Sequence, residues 1–252
     1  MVVVTAMSMF VFPQPSTASP VSECTDVVFE GEIRPGTGQA SRRVIRLDAT
    51  CQPLVIDEVL SRDAAEAVLR SGSSPSHASD RIPSKRAAAP AGRAGLARPS
   101  AMVPGGPIHM LNRIKDAAGL VVTSIDPHNF SYGYNGSTIT WTSHDATVNR
   151  ATDTECGPGW SVVWSATGIS ISGGGVGYSF ADSLTHAEFS YQGRFDCSGT
   201  DYYNILDTKL TGFGNGASST CAYRTQLRRT FLGWYQELLC WDAYVWTTPP
   251  PF

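Results

Sequence analysis

The chain has 252 residues and a formal charge of −3, from 19 Lys+Arg against 22 Asp+Glu; 42% of it is hydrophobic, 10% aromatic and 16% charged. That balance excludes a nucleic-acid binder working by phosphate neutralisation, which needs a basic surplus. The aromatic content excludes disorder throughout, and no apolar run approaches the roughly 18 residues of a membrane-spanning helix.

Residues 2–12, VVVTAMSMFVF, are mostly apolar, and Ser16-Thr17-Ala18 places small residues where a signal peptidase cuts. A signal peptide over 1–18 is therefore expected, with the mature chain starting at Ser19. The six cysteines, Cys24, Cys51, Cys156, Cys197, Cys221 and Cys240, contain no C-x-x-C pair. An even set of that kind in an exported chain predicts disulfides over zinc or redox chemistry. The expected location is extracellular, with no transmembrane anchor in the mature form.

Residues 19–70 read as a small module. Val27–Ile33 and Arg43–Leu47 flank Pro35-Gly36-Thr37-Gly38, a hairpin signal. Cys24 and Cys51 lie nearly symmetric about that loop, so a bridge between them would close the hairpin's open end. Ser61-Arg-Asp-Ala-Ala-Glu-Ala-Val-Leu-Arg follows as a short helix, with Ser61 as N-cap and Asp63 in the first turn. Residues 71–107 hold 26 Pro, Gly, Ser or Ala in 37 positions and no aromatic, which predicts a disordered linker.

Residues 108–252 carry all six Trp, all nine Tyr and a period of 2. Asn135-Gly136 predicts a two-residue hairpin turn pairing Tyr132 with Ile139 and Phe130 with Trp141. Gly173-Gly174 predicts a second, pairing Ile171 with Val176. His186 to Cys197 alternates without a break, with Ala187 and Phe189 on the core side and His186 and Glu188 on the solvent side. Cys221 and Cys240 are equidistant from Thr230/Phe231, so they would face each other across a hairpin. Cys156 is left to pair with Cys197. The fold expected is mainly β: an antiparallel β-sandwich or open barrel with disulfides, preceded by the small hairpin-plus-helix module.

The chemistry is read mostly from absences. No nucleophile-elbow, zincin, phosphate-loop or dinucleotide motif occurs, and no cofactor is implied. Ser143-His144-Asp145 has triad residue types, but neighbours on a strand point apart. His186 and Glu188 share a strand face, where acid/base or metal chemistry competes with an ordinary solvated sheet surface. Asp196 and Asp201 bracket a short loop with too few ligands for a calcium site. Trp160, Trp164, Trp234, Trp241 and Trp246 are more than one small core easily hides. Trp241 and Tyr244 are the candidates for an exposed, sugar-stacking platform.

The C-terminal part also resembles a group of uncharacterised secreted actinobacterial β-rich proteins. The resemblance spans about residues 110–240 and rests on Asp116-Ala-Ala-Gly119, the Asn135-Gly-Ser turn, Trp164-Ser-Ala-Thr-Gly168, Phe195-Asp-Cys197 and Gly212-Phe-Gly-Asn-Gly216. It implies export and a β-rich fold, and it carries no catalytic residues. The expected function is a non-catalytic extracellular or envelope-associated binding module, with polysaccharide as the candidate partner. A secreted hydrolase using carboxylates such as Glu188 and Asp196, or a secreted inhibitor or toxin, is the alternative.

Overall fold

Alternating sequences pair into twelve strands in the computed structural model, which describes residues 23–35, 39–70, 77–88, 103–151, 161–192 and 202–242. In chain order they are β1 (Glu23–Ile33), β2 (Ala40–Leu47), β3 (Pro53–Leu60), the helix α1 (Arg62–Arg70), β4 (His77–Ala88), β5 (Val103–Lys115), β6 (Val121–Tyr134), β7 (Ile139–Ala151), β8 (Ser161–Gly174), β9 (Phe180–Gln192), β10 (Tyr202–Phe213), β11 (Thr220–Phe231) and β12 (Tyr235–Asp242). They form a five-stranded sheet in the order β1-β11-β10-β9-β8 and a seven-stranded sheet in the order β3-β2-β12-β5-β6-β7-β4. Both inner faces feed one core, with Phe189 and Leu206 from the first sheet and Ile125, Phe130 and Leu238 from the second. The sheets stay open at their edges, so the fold is the expected antiparallel sandwich.

The first strands are not a separate module. β1 pairs with β11, from Glu23↔Phe231 to Ile33↔Cys221, and β2 pairs with β12. The expected β1–β2 hairpin does not form, because the chain passes from one sheet to the other between them. A unit of about 50 residues has little core of its own. Phe29, Ile33 and Ile45 find theirs inside the sandwich instead.

The linker expectation also changes. Residues 77–88 form β4, hydrogen-bonded to β7, and β5 already begins at Val103. Composition measures what side chains can bury. An edge strand is held largely by backbone hydrogen bonds, which composition does not report. The expected signal segment 1–18 lies outside the described residues.

Two predicted bridges form. Cys24–Cys51 spans 5.7 Å between Cα atoms and ties β1 to the turn before β3. Cys221–Cys240 joins β11 to β12 at 6.1 Å. These strands lie in different sheets, so this bridge crosses the sandwich and does not staple a hairpin. The pairing is as predicted; its placement differs because the chain changes sheets between Phe231 and Tyr235. Facing sheets usually sit about 10 Å apart, so the two converge at this corner. The proposed Cys156–Cys197 bridge lies outside the described residues. Replacing Cys221 and Cys240 by Ala should cost about 3 kcal/mol in denaturant unfolding; an unchanged midpoint would contradict the bridge's role as a staple.

Both predicted turns shift. Tyr134 pairs with Ile139, and Trp141 faces Gly133 and not Phe130. The loop has four residues because Asn135 Oδ1 accepts from the backbone N–H groups of Ser137 (3.1 Å) and Thr138 (2.9 Å). In the second hairpin Gly174 pairs with Ala181 and Ile171 with Ser183, so the loop is 175–179. Gly174 has φ +61°, and a Cβ there would lie 2.1 Å from the Phe180 carbonyl oxygen, so only glycine fits. The longer loop reaches the other sheet: Gly177 N–H donates to Ile139 O and Ile139 N–H to Tyr178 O, both at 2.8 Å.

The helix forms where its signals lie. Ser61 O accepts from Ala65 N–H (3.0 Å), and Asp63 occupies the first turn. Ala65, Val68 and Leu69 pack on the outer face of the seven-stranded sheet, over Ala40, Leu111, Leu239 and Trp241. That sheet is therefore covered on both faces at its centre, and β12 loses the burial alternation of a half-exposed strand.

Candidate functional site

Alternation along β9 sends Ala181, Ser183, Thr185, Ala187 and Phe189 inward, leaving His186 and Glu188 on the outer face of the five-stranded sheet, as predicted. β10 alternates in phase with it. Its register sets Asp207 opposite His186 and Tyr203 opposite Ser190, diagonal to Glu188.

These four side chains form one network. His186 Nδ1 lies 2.6 Å from Asp207 Oδ1, and Nε2 lies 2.8 Å from Glu188 Oε1. Tyr203 donates its hydroxyl to Glu188 Oε2 at 2.5 Å. Burial disfavours charge on His186, but the two carboxylates outweigh it and raise its pKa, so as imidazolium both ring nitrogens donate. Tyr203 and then His186 hold the Glu188 carboxyl below its ordinary range, and Glu188 pushes the Tyr203 phenol up to about 12.

The strand register extends this row of charged residues across the sheet. Arg224 stands opposite Asp207, and Glu30 opposite Arg224. On the other side Gly168 stands opposite His186, and a Cβ there would meet nothing within 4 Å. That side of the imidazole is therefore open. Nearby, Asp182 accepts from Thr211 Oγ1 at 2.6 Å and lies 3.6 Å from Lys209 Nζ. Among the described residues no element covers this face. None of the described residues groups three or more His, Cys, Asp or Glu in a way that could hold a metal ion.

The other predicted residues fall elsewhere. Trp241 is 1% exposed, stacked on His109 with ring centroids 5.0 Å apart, and packed in the cluster that includes Ala65 of α1. It offers no face to a sugar, and the platform reading of Trp241 is withdrawn. The helix laid over its strand covers it. Trp234 is also buried, at 5%. Tyr244, Trp160, Trp246, Asp196 and Asp201 lie outside the described residues.

Ser143-His144-Asp145 separates as strand geometry requires. His144 points inward and Asp145 outward, where it accepts from Asn129 Nδ2. Sequence reading missed the group His144 joins. Ser183 Oγ lies 2.9 Å from His144 Nδ1 and 2.9 Å from His128 Nε2, and His128 Nδ1 lies 2.9 Å from Thr208 Oγ1. The four come from β6, β7, β9 and β10 and meet between the sheets. His128, Ser183 and Thr208 are fully buried, so no substrate reaches this serine. Desolvation, then the neighbouring imidazoles, depress His128 to about 3, and the chain of groups is a polar bolt through the core. The single available signal was the inward phase of His128, His144 and Ser183 on their strands.

The molecule is thus a disulfide-stapled β-sandwich with an ionic network on an open sheet face. No family model, curated protein or solved structure matches the chain.

Proposed function

We propose that the protein is an exported binding module whose ligand surface is the outer face of the five-stranded sheet, centred on His186, Glu188, Tyr203 and Asp207. Two disulfides and the apolar segment 2–12 support export. The observation that carries the binding reading is the network itself. Each polar group is oriented by another before any ligand arrives, on a face no described element covers, with open space at Gly168. Such preorganised acceptors and donors suit the hydroxyls of an extracellular polysaccharide. The hydrolase alternative is weaker on this site. A general acid needs a carboxyl raised towards neutrality, whereas Glu188 is lowered.

Glycan-array and insoluble-polysaccharide retention tests this with the secreted protein. Binding is expected, with at least about tenfold loss in Glu188→Gln, which takes the charge from two bonds, and in Tyr203→Phe, which removes one of them. Uniform non-binding would sink the carbohydrate reading, and binding indifferent to both changes would place the site elsewhere.

A further inference from the structure

Seven large hydrophobic side chains are exposed among the described residues, and four of them lie in the eight-residue β3: Leu54, Val55, Ile56 and Val59, between 50% and 65% exposed. β3 ends its sheet. It pairs with β2 without a register shift, from Leu47↔Pro53 to Ala40↔Leu60, and among the described residues with no other strand. Natural edges are blunted by lysines, bulges or central prolines. β3 has none of these beyond Pro53 at its start. Its carboxylates are neutralised from behind: Arg43 holds Asp57 at 2.6 and 2.7 Å, and Arg42 holds Glu58 at 3.0 Å.

The turn sets which backbone groups remain available. Asp48 N–H donates to Gln52 O at 3.0 Å, so those two residues form a bonded pair. Bonded and non-bonded pairs alternate along an antiparallel ladder. Leu54, Ile56 and Glu58 therefore turn their backbone groups towards β2, while Val55, Asp57 and Val59 turn theirs outward. Pro53 falls in the outward set, where its missing N–H breaks no bond to β2.

We propose that a second copy of the chain occupies this edge, β3 pairing antiparallel with the partner's β3 about a two-fold axis at Asp57. That register bonds every outward N–H and C=O of Val55, Asp57 and Val59. It sets Val55 against the partner's Val59 on one face and Leu54 against the partner's Leu60 on the other. Asp57 meets the partner's Asp57 on the axis, each already paired with its own Arg43, so the row reads plus, minus, minus, plus. The contact is isologous and uses up both β3 edges, so it closes at two copies. The two seven-stranded sheets become one continuous sheet. This proposal stands apart from the ligand-binding reading, which concerns the opposite sheet.

Sedimentation of the full oxidised chain over a micromolar concentration series tests it. The wild type is expected to reach twice the monomer mass. A Val55→Lys/Val59→Lys chain and a Val55→Glu/Val59→Glu chain should each dimerise at least about tenfold more weakly, because like charges then face each other. Their equimolar mixture should form the heterodimer. All four changes sit at positions at least half exposed, and an unaltered melting temperature will show that the fold survives. A wild type that stays monomeric, or a dimer indifferent to these changes, overturns the proposal. So does a monomer that dimerises only once residues 1–22 are removed. That result would give the edge to the chain's own N-terminal segment, since the Cys24–Cys51 bridge holds the start of β1 beside the start of β3.

Discussion

An Arg113→Met chain will unfold about 3–5 kcal/mol more easily than the wild type, the cost of removing one member of a buried ionic group. Arg113 is 2% exposed on the outer face of the seven-stranded sheet, beneath α1. Its Nε donates to Asp126 Oδ2 at 2.8 Å, and its terminal nitrogens donate to the Val68 and Leu69 carbonyls at 2.8 and 3.0 Å. It therefore satisfies the last turn of the helix and fastens it to the sheet. Glu237, 1% exposed, lies 3.7 Å from the same guanidinium. Burial alone would raise the Glu237 carboxyl, but Lys115 and Arg42 outweigh it and hold Glu237 low. Methionine keeps most of the volume and none of the donors. It leaves Asp126 without its main cation and removes the guanidinium donors from the Val68 and Leu69 carbonyls. Part of the loss should return at low pH, because burial already pushes the Asp126 carboxyl up against the pull of Arg113, and it then takes a proton. Urea denaturation with helix content read by circular dichroism measures this. A loss below about 1 kcal/mol would show that the guanidinium does not anchor the helix.

The second large effect is on pH dependence. His128 is neutral in the fold, its pKa depressed to about 3, against about 6.5 in an unfolded chain. The unfolded chain thus binds a proton that the folded one refuses. The stability this group protects is complete above pH 6.5 and is lost as pH falls from there towards 3, by about 1.4 kcal/mol per pH unit. Burial depresses His109 as well, so it adds loss of the same sign. His186 is raised, and its contribution has the other sign: present below pH 6.5 and lost as pH rises through its folded pKa. The two windows lie on either side of pH 6.5 and can be read separately. Below pH 6.5 stability curves should be steeper for the wild type than for His128→Gln, the difference approaching about 1.4 kcal/mol per unit by pH 5. Parallel curves would mean that His128 is solvated or charged in the fold.

Local chemistry was legible in the sequence, and long-range placement was not. The strand phase of His186, Glu188 and Phe189 and the N-cap at Ser61 follow from residues a few positions apart; the two cysteine pairs match, although the hairpins whose symmetry suggested them do not form. The failures share one cause. Whether β1 pairs with β2 or with β11 depends on which partner offers a core, and neighbouring residues do not state that. Cys221 and Cys240 look like a hairpin pair at equal distances from Thr230/Phe231, whether the chain folds back in one sheet or crosses to the next. Trp241 was expected on an exposed platform, but α1, read correctly as a helix, had no address and lies over it. The site was half legible. His186 and Glu188 share a strand, whereas Asp207 and Tyr203 come from β10, and only the inter-strand register brings them together.

The order of the strands also sets when the molecule can be assembled. β1 lies against β11, and β2 against β12, so the first strands to leave the ribosome have their partners at the far end of the chain. Neither sheet can be completed until almost the whole polypeptide is present, and until then β1 and β2 remain open edges. Non-local pairing of this kind folds slowly. Production in a cytosol that also keeps its thiols reduced should deliver aggregate, while an oxidising environment lets Cys24–Cys51 and Cys221–Cys240 lock each end of the chain.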